Sequence, residues 1–200
     1  LLKEAVKRKM LERVQPQRLR DELILILKEA RPIKSLKRIE ELAGFGFISA
    51  HFNRSKTTDK LLGSIESEIN RFKRNYPQRR SVDTWLIYLM GLIGHLDLNA
   101  VEAICKKFVF RKGEEKRILS FKKVNHKFIF ELSKAKIKPA KIFNLLEPLS
   151  YEVIILIKAK YKNRNLQRHI DDFFEIYNGM CILVSGDDLR RLGVTPGPYY

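Results

Sequence analysis

The sequence predicts an all-α fold, an elongated array of helices with little or no sheet. Two observations carry this. Apolar residues recur every three or four positions along almost the whole chain. The breaks between those runs are short and hold proline, glycine or residues that cap helix starts. Composition agrees: 44% of residues are hydrophobic and 32% charged, the balance of a globular chain. A length of 200 residues suffices for one or two helical domains with a real core.

The elements follow in order. Leu2, Val6, Met10 and Leu11 share one face of a first helix, which Pro16 interrupts. Leu19, Leu23, Ile26, Leu27 and Ala30 mark a second. Pro32 opens a third, with Leu36, Ile39 and Leu42 inward, and Gly44-Phe45-Gly46 ends it. These three make a first subdomain over residues 1–50. Residues 49–57 are polar and read as a loop. Thr58 or Asp59 then caps a long helix carrying Leu61, Leu62, Ile65, Ile69 and Phe72, stopped at Tyr76-Pro77. Ser81 caps the next, whose Trp85, Leu86, Tyr88, Leu89, Leu92 and Ile93 make it the most buried helix of the chain. Asp97 or Asn99 opens another through Val101, Ile104 and Phe108. Glu114 and Glu115 lie in the first turn of a long helix reaching about Ala135. Pro139 starts a short helix, Ser150 another, and residues 165–177 form the last long one. Asn178-Gly179 signals a turn, and residues 180–184 are a short strand or an extended entry into a tail helix that stops at Gly193. Residues 51–160 are then a basic body and residues 161–200 a tail.

Charge is the next signal. The chain has 40 Lys plus Arg against 23 Asp plus Glu, a net +17. Residues 103–168 hold 18 basic and 5 acidic side chains, so 18 − 5 = +13 of that total falls there. Residues 57–102 are neutral, with 6 of each sign, and residues 169–200 carry 2 basic and 5 acidic. A basic middle beside a neutral neighbour points to a polyanion partner, nucleic acid first. A membrane surface fits less well, because no amphipathic anchor is present and apolar runs such as residues 153–157 are too short to span a bilayer. Cys105 and Cys181 lack metal or redox spacing and read as reduced core residues of a cytosolic protein. No secretory signal is visible, and Leu1-Leu2 is an unusual start, so the chain is expected to be part of something longer.

Catalytic chemistry is not visible. There is no glycine-rich phosphate loop; Gly44-Phe45-Gly46 follows a helix and reads as its stop. His51, His95, His126 and His169 are scattered, with no second ligand at metal spacing, and His95 reads as a capping or core residue at a helix end. Asp171-Asp172 and Asp187-Asp188 are neighbours on helices, where adjacent side chains diverge by about 100° and cannot grip one metal together. Asp187 and Asp188 instead suit the positive end of the tail helix.

One stretch is more specific: Ser185-Gly186-Asp187-Asp188-Leu189-Arg190-Arg191-Leu192-Gly193-Val194-Thr195-Pro196-Gly197-Pro198. It resembles the tail motif of bacterial class II tRNA nucleotidyltransferases and poly(A) polymerases. Val14-Gln15-Pro16-Gln17-Arg18-Leu19-Arg20-Asp21-Glu22-Leu23 resembles the family's neck segment, and Pro139 to Glu152 resembles its body pattern Pro-x-x-Ile-x-x-Leu-Leu…Glu. The likeness covers nearly the whole chain. It implies neck, body and tail regions, all helical, that follow a catalytic head. The head's Gly-Ser, Asp-x-Asp, Arg-Arg-Asp and Glu-Asp-x-x-Arg motifs have no match here; Arg79-Arg80 is followed by Ser81. Past the Pro-Gly-Pro, the family continues with another helix, whereas this sequence ends at Tyr200.

The resemblance implies a cytoplasmic, tRNA-binding portion of an enzyme that adds C, A or both to the tRNA 3′ end. The acceptor stem and T-arm are the expected partner, together with the head of the same protein. Magnesium and ATP or CTP belong to that head; no cofactor, metal or catalytic residue is expected here, and the chain alone is predicted inactive. A poly(A) polymerase of the same family, or a self-contained non-catalytic RNA-binding module, are the alternatives. The expected RNA contacts are Lys106, Lys107, Arg111, Lys112, Lys116, Arg117, Lys122 and Lys123 along two helices, then Lys158, Lys160, Lys162, Arg164 and Arg168 around a helix end. Lys134, Lys136, Lys138 and Lys141 surround another helix start. Arg18 or Arg20 would face the head or the RNA terminus, although Arg18 and Glu22 are also spaced for an intrahelical ion pair. Ser185 and Gly186 would contact the T-arm, and Tyr199 and Tyr200 are candidates for stacking.

Overall fold

The computed structural model describes residues 13–49, 52, 55–179 and 186–193. Among these, regular structure is helical and no strand is present. The expected first helix at Leu2 to Leu11, the extended segment 180–184, His51, Cys181, Ser185, the Pro196-Gly197-Pro198 exit and Tyr199-Tyr200 lie outside the described residues.

Helices α1 (Pro16–Leu27) and α2 (Pro32–Leu42) each begin on proline, whose fixed φ and missing N–H suit that position. Helix α2 ends as expected, with Gly44 at φ +65°. Helix α3 (Lys56–Asn75) starts earlier than expected. The Ser55 hydroxyl accepts from the Thr58 N–H at 3.2 Å while Thr58 Oγ1 accepts from the Ser55 N–H at 3.4 Å. This reciprocal box makes Thr58 the third residue of the helix and Ser55 its cap. Helix α4 (Thr84–Ile93) begins after Asp83, not Ser81, because the Glu152 carboxylate accepts the Asp83 N–H at 3.1 Å and fixes the chain there. Every residue of α4 from Trp85 to Ile93 is buried.

Helix α5 (Leu98–Lys107) is capped by Asp97, which accepts from the Ala100 N–H at 2.7 Å. The long helix expected over residues 114–135 is two helices, α6 (Lys112–Lys122) and α7 (His126–Leu132). Asn125 is extended and its side chain accepts from the Phe128 N–H at 2.9 Å, so it closes one helix and caps the next. Helices α8 (Pro139–Leu146), α9 (Tyr151–Lys160) and α10 (Arg164–Glu175) follow, the last two capped by Ser150 and Asn163. A 3-10 turn at Tyr177–Gly179 and the short α11 (Gly186–Arg191) complete the described chain, with Gly193 at φ +78°.

The centre is built from α3, α4 and α9 packed against one another. Helix α9 is buried from Glu152 to Ala159 and has no outer face along that stretch, where its two charged residues, Glu152 and Lys158, are paired. At Gly91 of α4 an added Cβ would stand 2.5 Å from Ile65 Cδ1 of α3, a measure of how closely these two helices approach. Helix α1 leans on α4, α6 on α4 and α9, and α10 on α7, α8 and α9. Phe72, Tyr76, Tyr151 and Phe174 meet edge-on or tilted, with centroids 4.9 to 5.8 Å apart. Buried apolar side chains from α1 to α10 form one continuous cluster. Among the described residues no helix is long and apolar enough to cross a membrane.

Candidate nucleic-acid interface

The basic segment divides into residues that reach solvent and residues that hold the fold. Lys106, Lys112, Lys116, Lys123 and Arg164 are exposed, as is Arg18 on α1. Lys107 is exposed but donates to the Phe47 carbonyl at 2.6 Å. Arg111 is exposed, and its N–H is taken by Glu114 at 2.9 Å in the start of α6. Lys162 is exposed 3.9 Å from Glu68. Lys160 Nζ lies 5.3 and 5.5 Å from the centres of the Phe121 and Tyr161 rings, and partial burial lowers its pKa below that of an ordinary lysine.

Four expected contacts have structural partners instead. Lys158 is 4% exposed and pairs with Asp171, with Glu68 at 4.0 Å. It lies on α9, which neighbours enclose on every side, and no phosphate can reach it. Lys122 is half-buried and donates to the carbonyls of Gly94, at 2.8 Å, and of Leu96, just beyond the end of α4. Burial lowers its pKa, and the like charge of Lys160 adds to the shift. Arg117 is 26% exposed and joins Asp83 at 2.7 Å and Glu152 at 3.2 Å. Arg20 donates to the Phe108 and Val109 carbonyls at 3.1 and 2.6 Å while pairing with Asp21. Arg18 and Glu22 are both exposed, and among the described residues α1 pairs Arg20 with Asp21.

Glu152 anchors the strongest of these networks. It is fully buried, accepts from both Arg80 Nη atoms at 3.3 Å and from the Asp83 N–H, and forms an ion pair with Arg117 at 3.2 Å. Burial pushes its pKa up, but backbone N–H donors and Arg80 outweigh that and hold the carboxyl below the usual glutamate value. Arg79 is spent in a similar way: it donates to the carbonyls of Phe174 and Asn178, closing the end of α10.

A surface groove of about 450 Å³ lies where the loop between α7 and α8 meets α10. Lys136, Lys138 and Arg168 line it with Asp172 and Tyr177, and Arg168 steadies the loop through the Ala135 carbonyl at 3.3 Å. Buried His169 meets the end of α7, its Nδ1 2.9 Å from the Leu132 carbonyl. The sequence placed these lysines at a helix start, but nothing in their spacing says that Arg168, some thirty residues later, shares their groove. His95, read as capping or core, is exposed, with only its ring edge on Phe52 at 5.4 Å.

Among the described residues no group of three or more His, Cys, Asp or Glu lies close enough to hold a metal ion. Cys105 is a buried free thiol. On α11, Asp187 and Arg190 pair at 3.7 Å; Gly186 is the first residue of that helix.

No family model matches the chain. Across its whole length it is 27% identical to an A-adding tRNA nucleotidyltransferase of Geobacter sulfurreducens, of which it covers 23%. Its fold matches the Thermotoga maritima CCA-adding enzyme complexed with tRNA, with a TM-score of 0.77, 22% identity, and coverage of 98% of this chain and 47% of that one. An apo tRNA-processing enzyme matches with a TM-score of 0.75, 21% identity, and coverage of 96% and 50%. The chain thus spans about a quarter of the curated relative and about half of the solved structures. The family resemblance read from the neck, body and tail motifs is borne out by sequence similarity over the full chain, and the all-α fold by the described helices.

Proposed function

We propose that this chain is the tRNA-holding helical portion of a template-independent tRNA nucleotidyltransferase, which adds C, A or both to the tRNA 3′ end. The observation that carries the reading is the exposed part of the basic segment, Lys106, Lys112, Lys116, Lys123, Lys162 and Arg164, set on a fold shared with CCA-adding enzymes. Residues 1–50 serve as neck, 51–160 as body and 161–200 as tail.

The chemistry follows from what an A-form stem offers. Its deep, narrow major groove hides the base edges, so a protein holds it by phosphates, 2′ hydroxyls and shape. Lysines on rigid helices suit this, since each needs to meet only a charge. Lys158 and Lys122 are left out of this surface, because the fold has already engaged them. The acceptor stem and T-arm dock on the body and tail while a head, joined ahead of α1, performs the transfer with magnesium and ATP or CTP. The chain by itself catalyses nothing, and the choice among CCA, A alone or poly(A) belongs to the head.

The test is the affinity of the chain for a tRNA lacking its CCA end across a salt series, with a DNA duplex as competitor. Tight binding that weakens steeply with salt and resists the DNA supports the reading; each phosphate contact adds about 0.7 to 0.9 to the logarithmic slope. Weak binding, or equal binding to DNA, overturns it in favour of a generic polyanion surface.

A further inference from the structure

Helix α7 and the loop behind it carry a combination that stem binding does not use. Phe130 stands on α7 with 65% of its surface exposed. Lys134 Nζ lies 5.2 Å from the centre of its ring. The groove lined by Lys136, Lys138, Arg168 and Tyr177 begins only a few residues further along the chain. A lone exposed apolar side chain is ordinary. This one is a flat aromatic face set within the most basic stretch of the protein, a few residues along the chain from the loop that lines a groove with two lysines, an arginine and Asp172. A protein partner with an apolar patch would find this ring fringed with positive charge. A nucleic acid would find its two needs met together, a π-face for a base and cations for the neighbouring phosphates.

Along a duplex the ring finds no base to stack on, because interior bases are stacked on one another and their faces are closed; an unpaired base in a loop or bulge leaves its face open. We propose that Phe130 and the α7–α8 groove form a site for an unpaired nucleotide of RNA, the base stacking on Phe130 while Lys136, Lys138 and Arg168 hold the adjoining phosphates. The proposal rests on the RNA-binding reading above and refines it, since a loop or bulge would set the register of a stem that the other lysines hold without sequence or position. The local construction suits a fixed platform. Arg168 ties the loop to α10, His169 meets the end of α7, and Asn125 fixes its start. Glu131 does not spoil the field, because Lys134 at 2.6 Å and Lys141 at 3.8 Å neutralise it. Asp172, which also lines the groove, offers an acceptor to a ribose 2′ hydroxyl, a donor that DNA lacks.

The experiment compares this chain with its Phe130→Ala and Lys136→Gln/Lys138→Gln variants on two probes: an RNA hairpin with an unpaired loop, and a blunt RNA duplex of the same stem. A fluorescent adenine analogue in the loop reports stacking. The substituted side chains are exposed, so the variants should melt as the parent does. The expected result is that Phe130→Ala loses roughly ten-fold affinity for the hairpin, the range of base stacking on an aromatic ring, keeps its affinity for the duplex and abolishes quenching of the analogue. The double lysine variant should bind the hairpin more weakly and with a shallower salt slope. If the parent binds hairpin and duplex equally, or Phe130→Ala weakens both alike or neither, the unpaired-base site is wrong although RNA binding stands. If the parent binds neither probe, the RNA reading itself has failed. Phe130→Tyr, which keeps the ring face, should restore binding.

Discussion

Lys122 and Lys123 are adjacent in sequence and should behave as different kinds of residue. Lys123 is exposed; Lys122 turns inward to the carbonyls of Gly94 and Leu96, where α4 has run out of partners. Replacing Lys122 by alanine leaves the carbonyl of buried Leu96 without a donor, at about 1 to 3 kcal/mol, and removes a charge-assisted bond at the more accessible Gly94, about 1 kcal/mol more. Relief of the partly desolvated ammonium and of its repulsion by Lys160 returns roughly 1 kcal/mol. The net loss is about 2 kcal/mol, and a chain of this size should drop about 4 to 8 °C in Tm. Lys123→Ala should leave Tm within experimental error and reduce the salt slope of RNA binding by about 0.7 to 0.9. Calorimetric melts paired with a salt series on the same two variants decide the matter. If Lys122→Ala melts with the parent while flattening the salt slope as Lys123→Ala does, the capping argument is wrong and Lys122 is a phosphate contact after all.

Glu152→Gln should cost about 1 to 3 kcal/mol at neutral pH in urea unfolding, because Arg80 and Arg117 lose a charged acceptor, although both are partly exposed and Arg117 keeps Asp83. Since the folded state holds this carboxyl below its unfolded pKa, its contribution is present above the ordinary glutamate value and lost as pH falls through the folded value. The variant should therefore show a flatter acid limb than the parent. A steep, parent-like limb would assign acid sensitivity elsewhere. Cys105 has its thiol pushed up to about 12, first by burial and then by Glu115 and Glu102. Alkylation at about pH 8.5, near the ordinary thiol pKa, should be slow at Cys105 in the native protein and fast in denaturant, as peptide mass spectrometry would read. Gly91→Ala should lower stability by about 1 to 2 kcal/mol, overpacking against Ile65 outweighing the gain in helix propensity; a rise in Tm would mean that Ile65 moves aside freely.

Helical periodicity made most of the fold readable. The apolar α4, the proline starts of α2 and α8, and the caps at Asp97 and Ser150 all stand where the pattern put them, whereas Pro16, read as a break, is the first residue of α1. Starts set by a tertiary contact were not readable. Asp83 takes the place of Ser81 because Glu152, sixty-nine residues away, claims its N–H. The break at Asn125 was missed because hydrophobic spacing runs through it unbroken, and only the capping chemistry of that one side chain marks it. The basic track was legible as charge but not as surface. Lysine is ordinarily exposed, so the sequence treats Lys116 and Lys158 alike, and only packing reveals that one meets water and the other meets Asp171. Phe130 escaped for the opposite reason: it sits beside Ile129 in an apolar run, where an aromatic ring ordinarily belongs inside.

Arg20 has a mechanical meaning beyond its hydrogen bonds. By reaching from α1 to two successive carbonyls after α5, it welds the first described helix to the layer that bears the exposed lysines. A single contact would act as a pivot; two, backed by α1 lying along α4, resist both swing and twist. A catalytic head joined ahead of α1, as proposed here, would therefore take its bearing from the body as a tool takes its alignment from a rigid mount. The distance between a stem held by the body and a reacting 3′ end in such a head would then be set by the protein frame.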